Sequence, residues 1–436
     1  MKKTILHIIC LFAAFPVFSQ YLVKGGNGQP LLAEEYNSMQ IYLLNGLNGA
    51  QISYTSTAAG THQWYKYQTR VGEAVPVASQ QSGNTSTVSD ISDGYGYYVE
   101  TPKGFDAPVW VIDYSRYLPS LLSFFVQEED DKCQFLKLVA NIKADPLVYY
   151  SSVGERRELQ RTFHLLYDNL KWNEETSSFI SEAIDLPRKG VVSEIVIDAP
   201  LKNTAFTLKG DDYAKHFGLE QFNKTPVYEA IAVEVHADAK SLKETASNEL
   251  NAGNTDLGGS APVEIVFSAF ANEPVAAMYK WEIFKLSEDG RDSTTIFLNN
   301  VDKSFNYTFD QSGKYAARLE VINWTTACFD NSSVFNIFIG QSSLKLPNAF
   351  SPGSSPGVND EYRVSYRSLT SFKAFIYNRW GNLLYSWDDP AKGWDGRVNG
   401  KFVPTGVYFI VVEAKGADGI RYKESKDINI LRSKNN

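Results

Sequence analysis

Short runs in which apolar and polar residues alternate recur along almost the whole chain, broken by clusters of Gly, Asn, Asp, Pro and Ser about every ten residues. Period-two alternation gives a strand one buried and one solvated face. Turn clusters at this spacing predict an all-β chain of sandwich units. The runs QISYTST (51–57) and HQWYKYQT (62–69) are of this kind, with Trp64 placed to point into a sheet interface. VWVIDY, LLSFFV, FLKLVANI and PLVYY follow between 109 and 150. RELQRTFHLLYDNLKW (157–172) fits both periods, because Leu159, Phe163, Leu166, Tyr167 and Leu170 share a helix face while Leu159, Arg161, Phe163, Leu165 and Tyr167 share a strand face. Its strand-like neighbours, and the hairpin end that follows it, predict a strand.

A third set begins with VYEAIAVEVHADAK (227–240) and continues with PVEIVFSAF, YKWEIFKL, SFNYTFDQSGKYAARLEVIN and SVFNIFIG. Between them, residues 241–260 hold Asn, Gly, Ser and Thr but no aromatic residue, which predicts a long exposed loop or linker. In the last set, 372–379 and 383–387 alternate around Gly381-Asn382 and predict a β-hairpin. Residues 406–414 are the most apolar run and predict a central strand. The expected units are 20–105, 106–220, 221–340 and 341–436.

A chain of 436 residues is too long for one core and suits roughly three or four domains. The many Tyr (25) and Phe (26) favour strands. Residues 1–19 have the form of a secretory signal: Lys2 and Lys3, an apolar run to Phe18, then Ser19. Its removal takes the net charge from −8 to about −10, which argues against a nucleic-acid partner. No later apolar run approaches the roughly 20 residues that span a bilayer, so no transmembrane segment is expected.

The remaining cysteines, Cys133 and Cys328, are far apart in sequence and are expected in different units as two buried free thiols. His62, His164, His216 and His236 have no neighbouring ligand at metal-site spacing, so neither a metal nor a cofactor is expected. Gly-x-Ser-x-Gly and phosphate-loop motifs are absent, and no catalytic residue is assigned. The run Glu128-Glu129-Asp130-Asp131 lacks calcium-loop spacing and predicts a solvated loop. A glycosidase carboxylate pair depends on a separation of roughly 5–10 Å, which composition does not exclude.

Three of the eight tryptophans, Trp380, Trp387 and Trp394, crowd FIYNRWGNLLYSWDDPAKGWDGRVNGKFVPTGVYFIVV (375–412). They could form a platform for sugar rings, but their places beside turn glycines and Asp-Gly favour core packing and turn anchoring.

Several stretches resemble known modules. Asp93-Gly94 before Tyr97 and Tyr98 resembles the tyrosine corner of immunoglobulin-like sandwiches. Phe309-Asp310, Gly313 and Tyr315 resemble the PKD-type immunoglobulin-like module over about 80 residues. The last 90 residues resemble the gliding-motility-associated C-terminal domain of Bacteroidetes, the type B sorting domain of the type IX secretion system. This rests on Asn359-Asp360, Asn378-Arg379-Trp380-Gly381, Gly393-Trp394-Asp395-Gly396, Asn399-Gly400-Lys401 and Pro404-x-Gly406-x-Tyr408, all in order. One departure is Gly353-Ser354-Ser355-Pro356-Gly357, where relatives carry Asn-Gly-Asp-Gly. The lost acidic residue puts any cation or turn contact made there in doubt.

The resemblance implies export through the type IX translocon and retention at the outer membrane by a β-barrel of the PorP/SprF kind. The expected contacts are the exposed turns 351–360 and 388–399, with the recognition residues Asn359, Asp360, Asn378, Arg379, Trp380, Gly381, Asp388, Asp389, Trp394, Asp395, Gly396 and Asn399. The expected function is that of a non-enzymatic surface protein: a scaffold or accessory of the secretion and gliding machinery, or an adhesin. A surface carbohydrate-binding or carbohydrate-active protein is the alternative.

Overall fold

The computed structural model describes residues 21–57, 59–127, 132–242, 245–251, 257–299, 301–354 and 357–432. The signal-like residues and the acidic run 128–131 therefore lie outside the described residues. Among those described, the chain is nearly all β, and its only α-helical turn is Asp212–His216. The architecture is a tandem of immunoglobulin-like sandwiches with a β-sandwich at the C-terminal end.

The first unit packs the sheet containing Tyr21–Lys24, Gln51–Thr55 and Thr85–Val88 on a larger one built around Met39–Leu44, Gln63–Tyr67 and Tyr95–Thr101. Trp64 is fully buried between them and its indole donates to Ser86 Oγ at 2.7 Å. The Tyr97 hydroxyl accepts from Ser92 N at 2.7 Å and donates to Asp90 O, closing the expected corner.

Val109–Asp113, which the sequence pattern groups with the second unit, instead pairs parallel with Met39–Leu44 and antiparallel with Tyr95–Thr101. All five of its residues are buried because a second layer covers the outer face of this sheet. Leu147, Tyr149, Leu159 and Ala214 pack there against Ile41, Trp110 and Ile112. A strand buried on both faces reads as a continuous apolar run, so alternation could not assign it to a unit.

The second unit opposes a three-stranded sheet (Ser120–Gln127, Phe135–Lys143, Glu194–Asp198) to a four-stranded one (Thr162–Asn173, Ser178–Lys189, Thr207–Lys209, Phe222–Lys224). The ambiguous segment is a strand, and its Phe163 and Leu165 enter the core. The third unit closes around Trp281, Phe267 and Ile283. Its Tyr315 hydroxyl donates to Gln311 O at 2.9 Å, the counterpart of the Tyr97 corner.

Buried polar groups hold the joints. Between the first two units, the Arg161 guanidinium pairs with Asp211 and donates to Tyr117 O (2.7 Å) and Asp145 O (2.9 Å). Asp211 also accepts from Tyr114 and caps the helical turn through Ala214 N. Between the second and third, buried Asn272 donates to Leu201 O and Ala232 O, both at 2.8 Å, and accepts from Glu234 N at 2.9 Å.

This joint corrects one expectation. Cys133 and Cys328 belong to different units but are not free thiols: they form a disulfide with Cα atoms 5.5 Å apart. Packing of the two units brings the turn at 132–134 to the turn at 324–328, which a separation of 195 residues does not reveal. A second correction concerns the predicted linker. Leu250 N donates to Tyr366 O at 2.7 Å, Tyr366 N donates to Asn248 O at 3.2 Å, and Asn248 Nδ2 reaches Val364 O and Pro390 O. Residues 248–250 supply backbone partners to an edge in the C-terminal unit, while Leu242, Thr245, Ser247 and Asn251 stay exposed.

The mature chain, residues 20–436, is expected to show no thiol reactive to maleimide under denaturing, non-reducing conditions, and two after reduction. A reactive thiol before reduction would reject the cross-link. At the last joint, burial pushes the Asp418 carboxyl up. The hydrogen bonds from the Ser342 hydroxyl and N–H outweigh this and hold it below the ordinary carboxylate range. A depressed carboxylate stabilises above its unfolded value of about 3.9, and that contribution is lost as pH falls through the lower folded value. Asp418→Asn should therefore flatten the loss of thermal stability below about pH 4; an unchanged acid profile would count against this.

Candidate recognition surface of the C-terminal domain

The five-stranded sheet of the last unit runs Ala349–Phe350, Arg421–Ile430, Gly406–Gly416, Leu369–Tyr377 and Leu383–Trp387. Gly406–Gly416 is central, as its apolarity predicted. The register puts Leu369 opposite Gly416 at one end, and Tyr377 opposite Leu383 with Gly406 opposite Ile430 at the other.

The first end is sealed. Ala417 lies in the core of the third unit, its carbonyl accepts from Ser312 N, and across the joint Ser368 N donates to Ser260 Oγ while Ser368 Oγ accepts from Ala261 N. The opposite end is therefore distal to the rest of the chain.

Most of the predicted residues gather at that distal end, where they shape turns. Asn359 adopts φ 55° and its carbonyl accepts from Ser351 N. The Asp360 carboxylate accepts from Gly353 N and Gly357 N, so it organises its loop even without the acidic residue of the usual motif. Asn378 Oδ1 takes the N–H of Trp380 and of Asn382 at 3.0 and 2.9 Å, and Gly381 supplies φ 83°. Asp395 caps Arg397 N, while Asn399 and Gly400, at φ 53° and 78°, turn the hairpin Arg397–Val398 to Lys401–Phe402. Two consecutive positive φ values are the reason Asn-Gly occurs there. At Gly396 a Cβ would lie 2.8 Å from Pro352, so this hairpin and the loop after Phe350 are in contact.

The tryptophans divide. Trp394 is fully buried, donates to Arg397 O at 3.0 Å, and packs with Phe350 and Tyr408. Trp387 is also in the core. Trp380 is not: it is 70% exposed, with the Arg379 guanidinium 4.3 Å above its ring, which corrects the expectation that it anchors structure.

Asp388 and Asp389 do not join the distal group. Asp389 caps the turn through Ala391 N, and Pro390 O is taken by Asn248 of the connecting segment. Burial, with the nearby Glu249 and Asp389 carboxylates adding to it, pushes the Tyr366 hydroxyl up to about 12.

One feature of this end is not predicted from the sequence. Val407 and Phe409 on the central strand are 48% and 43% exposed, next to exposed Leu383 and half-buried Tyr377. The apolar residues on both faces of 406–414 were the available signal, and they indicated centrality without showing that the outer face is bare.

Residues 344–427 match the CHU_C type IX secretion signal domain. The chain ends in a type IX secretion signal domain. Such a domain implies export by type IX secretion and attachment at the cell surface. Residues 125–225, most of the seven-stranded second unit, match a fibronectin type III domain. Both matched kinds are non-catalytic. No curated protein matches the chain. A solved structure of a tetra-tandem repeat in the extending region of a large adhesion protein aligns with 90% of this chain and 99% of that one, at 10% identity and a TM-score of 0.21.

Among the described residues, no helix is long and apolar enough to cross a membrane, and no group of three or more His, Cys, Asp or Glu is placed to hold a metal ion. The histidines sit in local contacts, as with His164 between Asp185 and Asp212.

Trp394→Ala should cost about 3–5 kcal/mol, the range for deleting a buried aromatic ring, whereas Trp380→Ala should stay within about 0.5 kcal/mol. Urea denaturation of both variants, followed by circular dichroism, checks this. Equal effects would mean that the two indoles are misassigned.

Proposed function

We propose that this chain is a non-enzymatic surface protein whose signal domain is read at its distal end, first by the type IX translocon and then by an outer-membrane β-barrel of the PorP/SprF kind that retains it. The observation that carries this reading is the asymmetry of the domain. One end is sealed by the third unit, while the other presents turns shaped by Asp360, Asn378, Asp395 and Asn399.

Pre-formed turns suit recognition because little ordering is left for the moment of binding. The exposed Arg379–Trp380 pair is the strongest contact candidate, since Trp and Arg are enriched among residues that dominate binding energy. The bare side chains of Leu383, Val407 and Phe409 extend the same surface across the sheet. The three units ahead of it act as an adhesin or as a scaffold for the surface machinery.

Deleting 344–436 should leave the remaining chain in the periplasm, read by protease accessibility on intact cells; unchanged surface display would sink the proposal. Substituting Arg379, Trp380, Asp395 and Asn399 together should release the protein into the medium or block its export, with the dichroism spectrum intact. If only core substitutions such as Trp394→Ala did so, recognition by the distal turns would be wrong.

A further inference from the structure

The joint between the second and third units carries a cleft. Two cavities of about 480 and 220 Å³ share Glu229 and Ile231, so the connecting segment 225–231 is their common floor. Phe125 and Phe135, 47% and 51% exposed, line the larger. Trp324, 76% exposed, lines the smaller. Large aromatic rings are ordinarily drawn into cores, and three left in water beside two adjoining cavities mark a surface that something covers.

The walls are fixed before any ligand arrives. The Trp324 indole donates to Pro274 O at 3.2 Å, which sets the plane of the exposed ring. Next to it, buried Asn323 accepts from Thr325 Oγ1 and Ala327 N, and donates to Ile231 O at 3.0 Å, tying the Trp324 turn to the floor. Cys133, two residues before Phe135, is bonded to Cys328, four residues after Trp324, so the disulfide links the two aromatic walls across the joint. Polar groups lie at the edge: Gln127, Lys132 and Lys137 in the larger cavity, Asn203 and Thr325 in the smaller, and the Glu229 carboxylate in both.

We propose that this cleft binds a polysaccharide strand. A pyranose ring offers C–H faces and a hydroxylated edge, which match exposed aromatic faces bordered by amide, hydroxyl and carboxylate groups. An extended peptide would be read through the main chain, and the floor has little to give it. Thr225 N already donates to Phe206 O, Tyr228 N to Thr204 O, and Ala230 N to Asn203 Oδ1. Recognition must therefore rest on side chains. Two adjoining cavities that share Glu229 and Ile231 accommodate successive sugar units from within a strand. The cleft belongs to units outside the signal domain, so its ligand and the retention of the chain are separable by experiment.

The test is affinity electrophoresis of the mature chain, residues 20–436, through gels containing mixed-linkage β-glucan, xylan or alginate, with tryptophan fluorescence titration of any that retards it. Saturable retardation by at least one polysaccharide is expected. Trp324→Ala should weaken binding at least tenfold and Phe135→Ala at least threefold, both with unchanged dichroism, since these side chains are exposed. The double variant Cys133→Ser/Cys328→Ser should weaken it about threefold by loosening the walls; if that variant fails to fold, the Trp324→Ala result decides. Absence of retardation by all three polysaccharides would overturn the proposal, as would full affinity in Trp324→Ala. Binding of unstructured peptides in the cleft without polysaccharide binding would also overturn it.

Discussion

A string of sandwiches depends on what happens to the backbone groups of the segments that join them. A buried carbonyl or N–H without a partner costs about 1–3 kcal/mol, so each joint must supply side chains where no strand is available. Here the partners are well buried: Arg161 and Asp211 at the first joint, Asn272 and Asn323 at the second, Ser260 and Ser368 at the third, where half-buried Asp418 joins them. Arg161 and Asp211 form a buried pair of the kind whose desolvation is repaid only by complete hydrogen bonding, and Tyr114, Ala214 N and two carbonyls complete it. Each joint thereby carries its own set of buried hydrogen bonds.

Sealing one end of the signal domain against the third unit leaves its distal turns facing away from the other units. At the second joint, the buried hydrogen bonds and the disulfide set Phe135 and Trp324 in fixed relation, which loose tethering could not do. Among the described residues of the signal domain, the polar groups shape Asx-capped turns and Asn-Gly hairpin geometry, with one exposed indole under a guanidinium.

Much of this was legible in the linear pattern. Alternation gave the strands, including 162–173 where helix and strand periods competed, because Phe163 and Leu165 on one face and a long hairpin partner decide the matter. Asp-Gly and Tyr spacing marked the corner at Tyr97, while Tyr315 was marked only by the PKD-like pattern of Phe309-Asp310 and Gly313. The motif segments of the C-terminal domain located nearly all the turn-forming residues. They did not distinguish buried Trp394 from exposed Trp380, since both stand beside a glycine and only the packed sheet decides which ring points inward. Asp388 and Asp389 looked like the same kind of acidic turn as Asp395, yet the connecting segment occupies their neighbourhood.

The amino-acid sequence by itself determined the all-β class, the positions of turns and the identity of the C-terminal domain, because these rest on local periodicity, backbone preference and residue spacing. Only the tertiary structure decided which strands share a sheet, that Val109–Asp113 joins the first unit, that residues 246–251 are docked, and that Cys133 meets Cys328. It also decided where aromatic faces stay in water. Those outcomes depend on contacts between residues tens to hundreds of positions apart, and local pattern carries no record of which distant surface a segment will find.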